Sequence, residues 1–113
     1  MSSGYNEANL SVAASHAHRA LASVQEELEA IDYYNQRADR TEDAALKAIL
    51  IHNRNEEIEH ATMLLEWLRR TMPEFDEAMK TYLFTQAPIT EIEAGAAGGV
   101  AAGGPRLSIG SLR

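Results

Sequence analysis

The chain has no cysteine, which removes disulfides, thiolate metal sites and iron-sulfur clusters from consideration. No stretch approaches the length of apolar residues needed to cross a bilayer as a helix, and MSSGYNEANL is not a basic segment followed by an apolar one. Neither a membrane span nor a secretion signal is expected, and a cytoplasmic protein is the default. Basic residues are outnumbered, with a formal net charge of -7. That balance argues against nucleic acid as a partner and is compatible with collecting cations. Glycine is concentrated at residues 94–106 (AGAAGGVAAGGPR), and such a stretch is costly to order and has little area to bury. What remains is a small folding unit, marginal alone and most cheaply completed by association.

The expected organisation is a flexible N-terminus over residues 1–8, a helical domain over 9–93, the Gly/Ala-rich linker 94–106 and a terminal peptide 107–113. From Ser11 to Arg37 there is neither proline nor glycine, and Leu21, Val24, Leu28 and Ile31 recur at steps of three and four. This predicts a long amphipathic helix with Glu27 on the flank of its apolar stripe, between Ala20, Ile31 and Tyr34. The Asp39 to Asp43 segment is read as a break, with Thr41 as N-cap of a second helix running to Thr71. So short a link implies an antiparallel hairpin. Pro73 opens a third, shorter helix with Phe75, Met79, Tyr82 and Leu83 on one face, and Ala87-Pro88 is expected to stop it.

The second helix carries the chemistry. Leu46, Ile49, Leu50, Ala61, Leu64 and Leu68 make an apolar face, and Asn53, Glu57 and His60 fall in its middle. An ionised carboxylate there costs several kcal/mol unless a cation shares the space. Glu57-x-x-His60 is the spacing that carboxylate-bridged dimetal bundles supply from each of two helices, with a further Glu from each of the other two. A Glu-His hydrogen bond, or a Glu paired with an arginine, would also satisfy the pattern. One hairpin offers Glu27, Glu57 and His60, and two copies about a twofold axis would supply a two-metal set and close a four-helix bundle. Ligands of this hardness suit iron or manganese, and zinc would also bind. On the opposite face Glu26, Glu29 and Tyr33 cluster, either as a solvated acidic face or as a loose outer cation site. Tyr34 is placed to pack or to hydrogen-bond a ligand carboxylate. His16, His18 and His52 read as surface or interface histidines.

Residues 23–34 (SVQEELEAIDYY), 51–70 (IHNRNEEIEHATMLLEWLRR), 81–85 (TYLFT) and 107–113 (LSIGSLR), in this order, resemble the encapsulated ferritins, cargo proteins of encapsulin nanocompartments. The resemblance implies an all-α, ferritin-like antiparallel hairpin with a short C-terminal helix, which dimerises into a four-helix bundle and assembles as an annular homodecamer. It implies a ferroxidase with two iron ions per dimer on Glu27, Glu57 and His60, for which zinc, calcium or manganese could substitute. Glu26 and Glu29 would form the outer site through which iron enters, with Tyr33 beside it where relatives carry tryptophan. The terminal peptide, through Leu107, Ile109 and Leu112, would fix the protein inside the encapsulin shell, where the mineral is stored. A non-catalytic metal-stabilised assembly protein and a cargo adaptor are the alternatives.

Overall fold

The computed structural model describes residues 5–93, and within them the chain is all helix with no strand. Three helices follow in order, α1 (Val12–Arg40), α2 (Ala44–Thr71) and α3 (Pro73–Tyr82), and residues 89–93 are helical again after Pro88. They divide into two compact units, the boundary falling after Leu68 near the end of α2. The Gly/Ala-rich stretch and the terminal peptide lie outside the described residues.

In the first unit, Ser11 sits in extended backbone and its Oγ accepts the Ala14 N–H at 3.1 Å, satisfying one of the donors that begin α1. The helix continues through Arg40, beyond the predicted break at Asp39. Ala38 is buried in this last turn, and Arg37 and Arg40 oppose the negative end of the helix dipole. Thr41 therefore ends α1 instead of starting α2. Its N–H reaches the Arg37 carbonyl at 3.0 Å and its hydroxyl donates to the same oxygen at 2.6 Å. The cap of α2 is Asp43, whose Oδ2 accepts the Leu46 N–H at 2.8 Å. A carboxylate there meets both the open amide and the positive end of the dipole.

Residues 41–43 leave no room for anything but reversal, and the cross-helix contacts prove the direction. Arg54 Nη1 of α2 donates to Asn35 Oδ1 of α1 at 2.9 Å, while further along α2 His60 meets Glu27, further back on α1. As one helix advances the other retreats, so the pair is an antiparallel hairpin.

The core of this unit is thin. Ala20, Val24 and Ala38 on α1 and Ala61 and Leu68 on α2 are buried. Several residues of the predicted apolar faces are not, among them Leu28, Leu46 and Ile49, which are 54%, 48% and 56% exposed. Two helices touch along one narrow seam, and a stripe wider than that seam needs more helices to cover it.

In the second unit Pro73 occupies the first turn of α3, where its missing N–H costs nothing. Asp76 accepts from Arg69 Nη1 at 2.6 Å and from Lys80 Nζ at 2.9 Å. The Lys80 ammonium, then the Arg69 guanidinium, hold its carboxyl below the ordinary aspartate range. The helix ends at Tyr82, short of the predicted stop at Ala87-Pro88, and Leu83 is its C-cap. Phe84 follows in the left-handed region at φ 61°, and the Thr85 hydroxyl donates to the Tyr82 carbonyl at 2.7 Å. A left-handed residue just past the cap plus a hydroxyl on a terminal carbonyl is sufficient to close a helix.

Replacing Asp43 by alanine should cost about 1 kcal/mol of stability. Urea denaturation followed by circular dichroism should show a larger loss for Asp43→Ala than for Thr41→Val, because only the first exposes the start of a long helix.

Candidate metal centre

Glu27 and the Glu57/His60 pair reach the same place from different helices. Glu57 and His60 are one turn apart on α2, so both project to the same side. The antiparallel hairpin brings Glu27 of α1 opposite them. One ligand atom from each of the three lies within 4.8 Å of the other two, and among the described residues this is the group of three or more His, Asp or Glu able to share an ion. His60 Nδ1 stands 3.3 Å from Glu57 Oε1 and 3.6 Å from Glu27 Oε1. The two carboxylates are 24% exposed and the imidazole 43% exposed, so the cluster is recessed but open on the side of His60.

Close packing of like charges shapes the protonation. The Glu27 carboxyl is raised above the ordinary glutamate range, chiefly because it donates a hydrogen bond to Glu57, then by desolvation and by the Glu57 charge. Glu57 is correspondingly lowered, first by that hydrogen bond and then by the one from His60. Desolvation pulls His60 down, but its hydrogen bond with Glu57 and the charges of both carboxylates outweigh this, and its net shift is upward. Both upward shifts favour the protonated forms, and a proton at either group offsets the repulsion between the carboxylates as a cation would.

Two carboxylate groups and one imidazole are a hard to borderline donor set that fits iron, manganese or zinc. Three donors leave part of any such ion's coordination sphere open. The face of α2 that carries His60 also carries Ile49, Glu56, Met63 and Trp67 at helical spacing, and Ile49, Met63 and Trp67 are exposed there.

The outer face is arranged differently. Tyr33 donates its phenolic hydrogen to Glu29 Oε2 at 3.0 Å, and this bond, followed by the Glu29 charge, raises the phenol above its ordinary range. Glu26 is exposed on the same side of α1. The Arg37 guanidinium lies 6.0 Å from the centre of the Tyr33 ring and 5.5 Å from that of the half-buried Tyr34. Of the remaining histidines, His16 and His18 are exposed, and His52 stands 3.8 Å from Glu56. Arg37 and Arg54 are not among the site residues expected from the sequence. The signal for Arg37 was present, since it follows Tyr33 and Tyr34 by four and three residues; the reach of Arg54 to Asn35 depends on how two helices align and leaves no local trace.

A model of the family described as EncFtn-like matches residues 4–86. The chain is 56% identical over 94 residues to a "Ferritin-like protein" of Thermotoga maritima, covering 83% of this chain and 82% of the relative. It is 52% identical over 107 residues to an "Encapsulated ferritin-like protein" of Rhodospirillum rubrum, covering 85% of this chain and 76% of that protein. Among solved structures it is similar to the crystal structure of protein ne0167 from Nitrosomonas europaea, with a TM-score of 0.73 and 57% identity over 76% of this chain and 97% of the other.

Divalent cations compete with protons for Glu27 and His60, both of which are shifted towards their protonated forms. Affinity should therefore fall as pH drops through the titration of His60, and loading should release protons. Calorimetric titration with Mn(II) in two buffers of different ionisation enthalpy, at pH values on either side of His60, would measure both effects.

Proposed function

The chain belongs to the EncFtn-like family, and from that premise we propose that it is a ferroxidase, oxidising Fe(II) to Fe(III) as cargo of an encapsulin shell. The observation that carries the reading is the convergence of Glu27, Glu57 and His60 from two helices on one small volume. Its substrate is iron itself.

Two hairpins facing each other across a twofold axis would pool two Glu27, two Glu57 and two His60 around a pair of ions, which is the donor count of a carboxylate-bridged dimetal bundle. The open side of the cluster and the exposed Ile49, Met63 and Trp67 on the His60 face of α2 support a second chain there. In this assembly each Fe(II) gives up one electron to dioxygen or to a peroxide. The carboxylates of Glu27 and Glu57 favour the product because anionic oxygen donors stabilise the more highly charged ion. A neutral His60 would complete each ion's ligand set. Zinc would occupy the same donors without redox chemistry and so compete with the substrate.

Glu26 and Glu29 on the outer face are read as the site where Fe(II) is first gathered, with Tyr33 beside it. The ring of five dimers belongs to the same reading, as does storage of the mineral by the shell rather than by this protein. The name of the Rhodospirillum rubrum relative supports the association with a shell. The peptide with Leu107, Ile109 and Leu112 is assigned to docking on its inner wall.

Aerobic addition of Fe(II) should give rapid oxidation, and Glu57→Ala, His60→Ala and Glu27→Ala should each slow the initial rate by about tenfold or more. Rates equal to that of buffer in the unaltered chain, with a raised melting temperature on iron addition, would make it a metal-stabilised assembly protein instead. Deleting residues 107–113 should abolish loading into the shell on co-expression and leave iron oxidation by the isolated protein intact.

A further inference from the structure

Towards the closed end of the hairpin the two long helices enclose a cavity of ≈ 310 Å³, open on one side and at the small end of the range that holds small molecules. From α1 it is lined by Asn35, Ala38 and Asp39, and from α2 by Lys47, Ile51 and Arg54. The three from α2 follow at steps of four and three, so they share one face. By helical periodicity that face lies on the far side of α2 from Ile49, Met63 and Trp67. A second chain seated on those apolar residues would leave the cavity open.

The charges around the cavity are not spent on one another. Among the described residues neither Lys47 nor Asp39 forms an ion pair, with each other or with any third group. Arg54 is held by neutral acceptors only: Nη1 donates to Asn35 Oδ1 at 2.9 Å, and Nε and Nη2 donate to Asn55 Oδ1 at 3.2 and 3.1 Å. A guanidinium has five N–H groups, so one is left on each terminal nitrogen. The Asn35 oxygen is engaged by Arg54, which leaves the amide's NH2 to donate. Two cations and an amide donor thus stand against a single carboxylate.

We propose that this cavity binds a free acidic amino acid, glutamate or aspartate, with its two carboxylates on Lys47 and Arg54 and its ammonium on Asp39. Two negative groups and one positive group mirror the two positive groups and one negative group of the walls. A simple anion would serve the cations and stand unfavourably against Asp39. An amino acid with one carboxylate would leave a cation without a partner, and a diacid without the ammonium would leave Asp39 so. Ala38 and Ile51 offer an apolar surface to the short methylene chain. Arg54 is already oriented by two asparagines, so it has little freedom to lose when the ligand arrives. The proposal involves neither a metal nor the iron chemistry above.

The test is made on the full chain without added metal, by calorimetry and by saturation-transfer NMR of the ligand. L-Glutamate or L-aspartate should bind. Removing the ammonium (glutarate, succinate) or one carboxylate (γ-aminobutyrate, β-alanine) should each weaken binding by about tenfold or more, and Lys47→Met should weaken the amino acid by a similar factor. Asp39→Asn should weaken the amino acid while leaving its diacid unchanged or tighter, an opposed response that general loss of structure would not give. Failure of both amino acids to bind, equal affinity for an amino acid and its diacid, tighter binding of 2-hydroxyglutarate than of glutamate, or unchanged affinity in Lys47→Met would overturn the assignment. The ligand comparisons use the unaltered chain and so stand whether or not a variant folds.

Discussion

Two carboxylates forced together by facing helices are the constraint around which the first unit is built. Glu27 and Glu57 would repel one another if both were ionised at this separation, and each has lost most of its water. The hairpin holds them there regardless, through the Asn35–Arg54 hydrogen bond and the buried Ala20, Val24 and Ala61. Something positive has to sit among them. Glu27 and His60 are both shifted towards their protonated forms, and a divalent ion would compete with protons for the same place. The cluster is thus a place where folding has already met the electrostatic cost of assembling a cation's ligands, and binding recovers it.

This constraint was legible in the sequence for a simple reason. The Glu57-x-x-His60 spacing fixes two side chains on one face whatever else happens, and Glu27 could be placed by the periodicity of Leu21, Val24, Leu28 and Ile31. The hairpin followed from the shortness of the link. Helix ends were less accessible, because each is decided by one or two hydrogen bonds. Thr41 and Asp43 are both good capping residues, and only the backbone shows that Thr41 closes α1 while Asp43 opens α2. In the same way nothing in the run from Tyr82 to Pro88 announces that Phe84 will turn left-handed and end α3 early. Side chains that meet across helices, such as Arg54 with Asn35, lie beyond any local pattern.

Periodicity also told which faces are apolar without telling how many neighbours each requires. Leu28, Leu46 and Ile49 belong to stripes that look like core, yet they remain exposed on a hairpin whose buried seam is lined mainly by alanine and valine. Small residues at the seam let the two helices approach closely, which serves the ligand cluster. The larger apolar residues are left on the flanks, where a hairpin alone has nothing to pack against them.

The division of the ligands between α1 and α2 has a further consequence, which concerns the chain before it is folded. Glu57 and His60 come together as soon as one turn of helix forms, but Glu27 is supplied from far upstream and joins them only when the hairpin closes. A chain whose second helix has formed but whose hairpin has not closed therefore offers two of the three donors. An ion taken up by this cluster would be held weakly before the hairpin closes and firmly only on folded molecules, so the arrangement of the donors would itself select native chains.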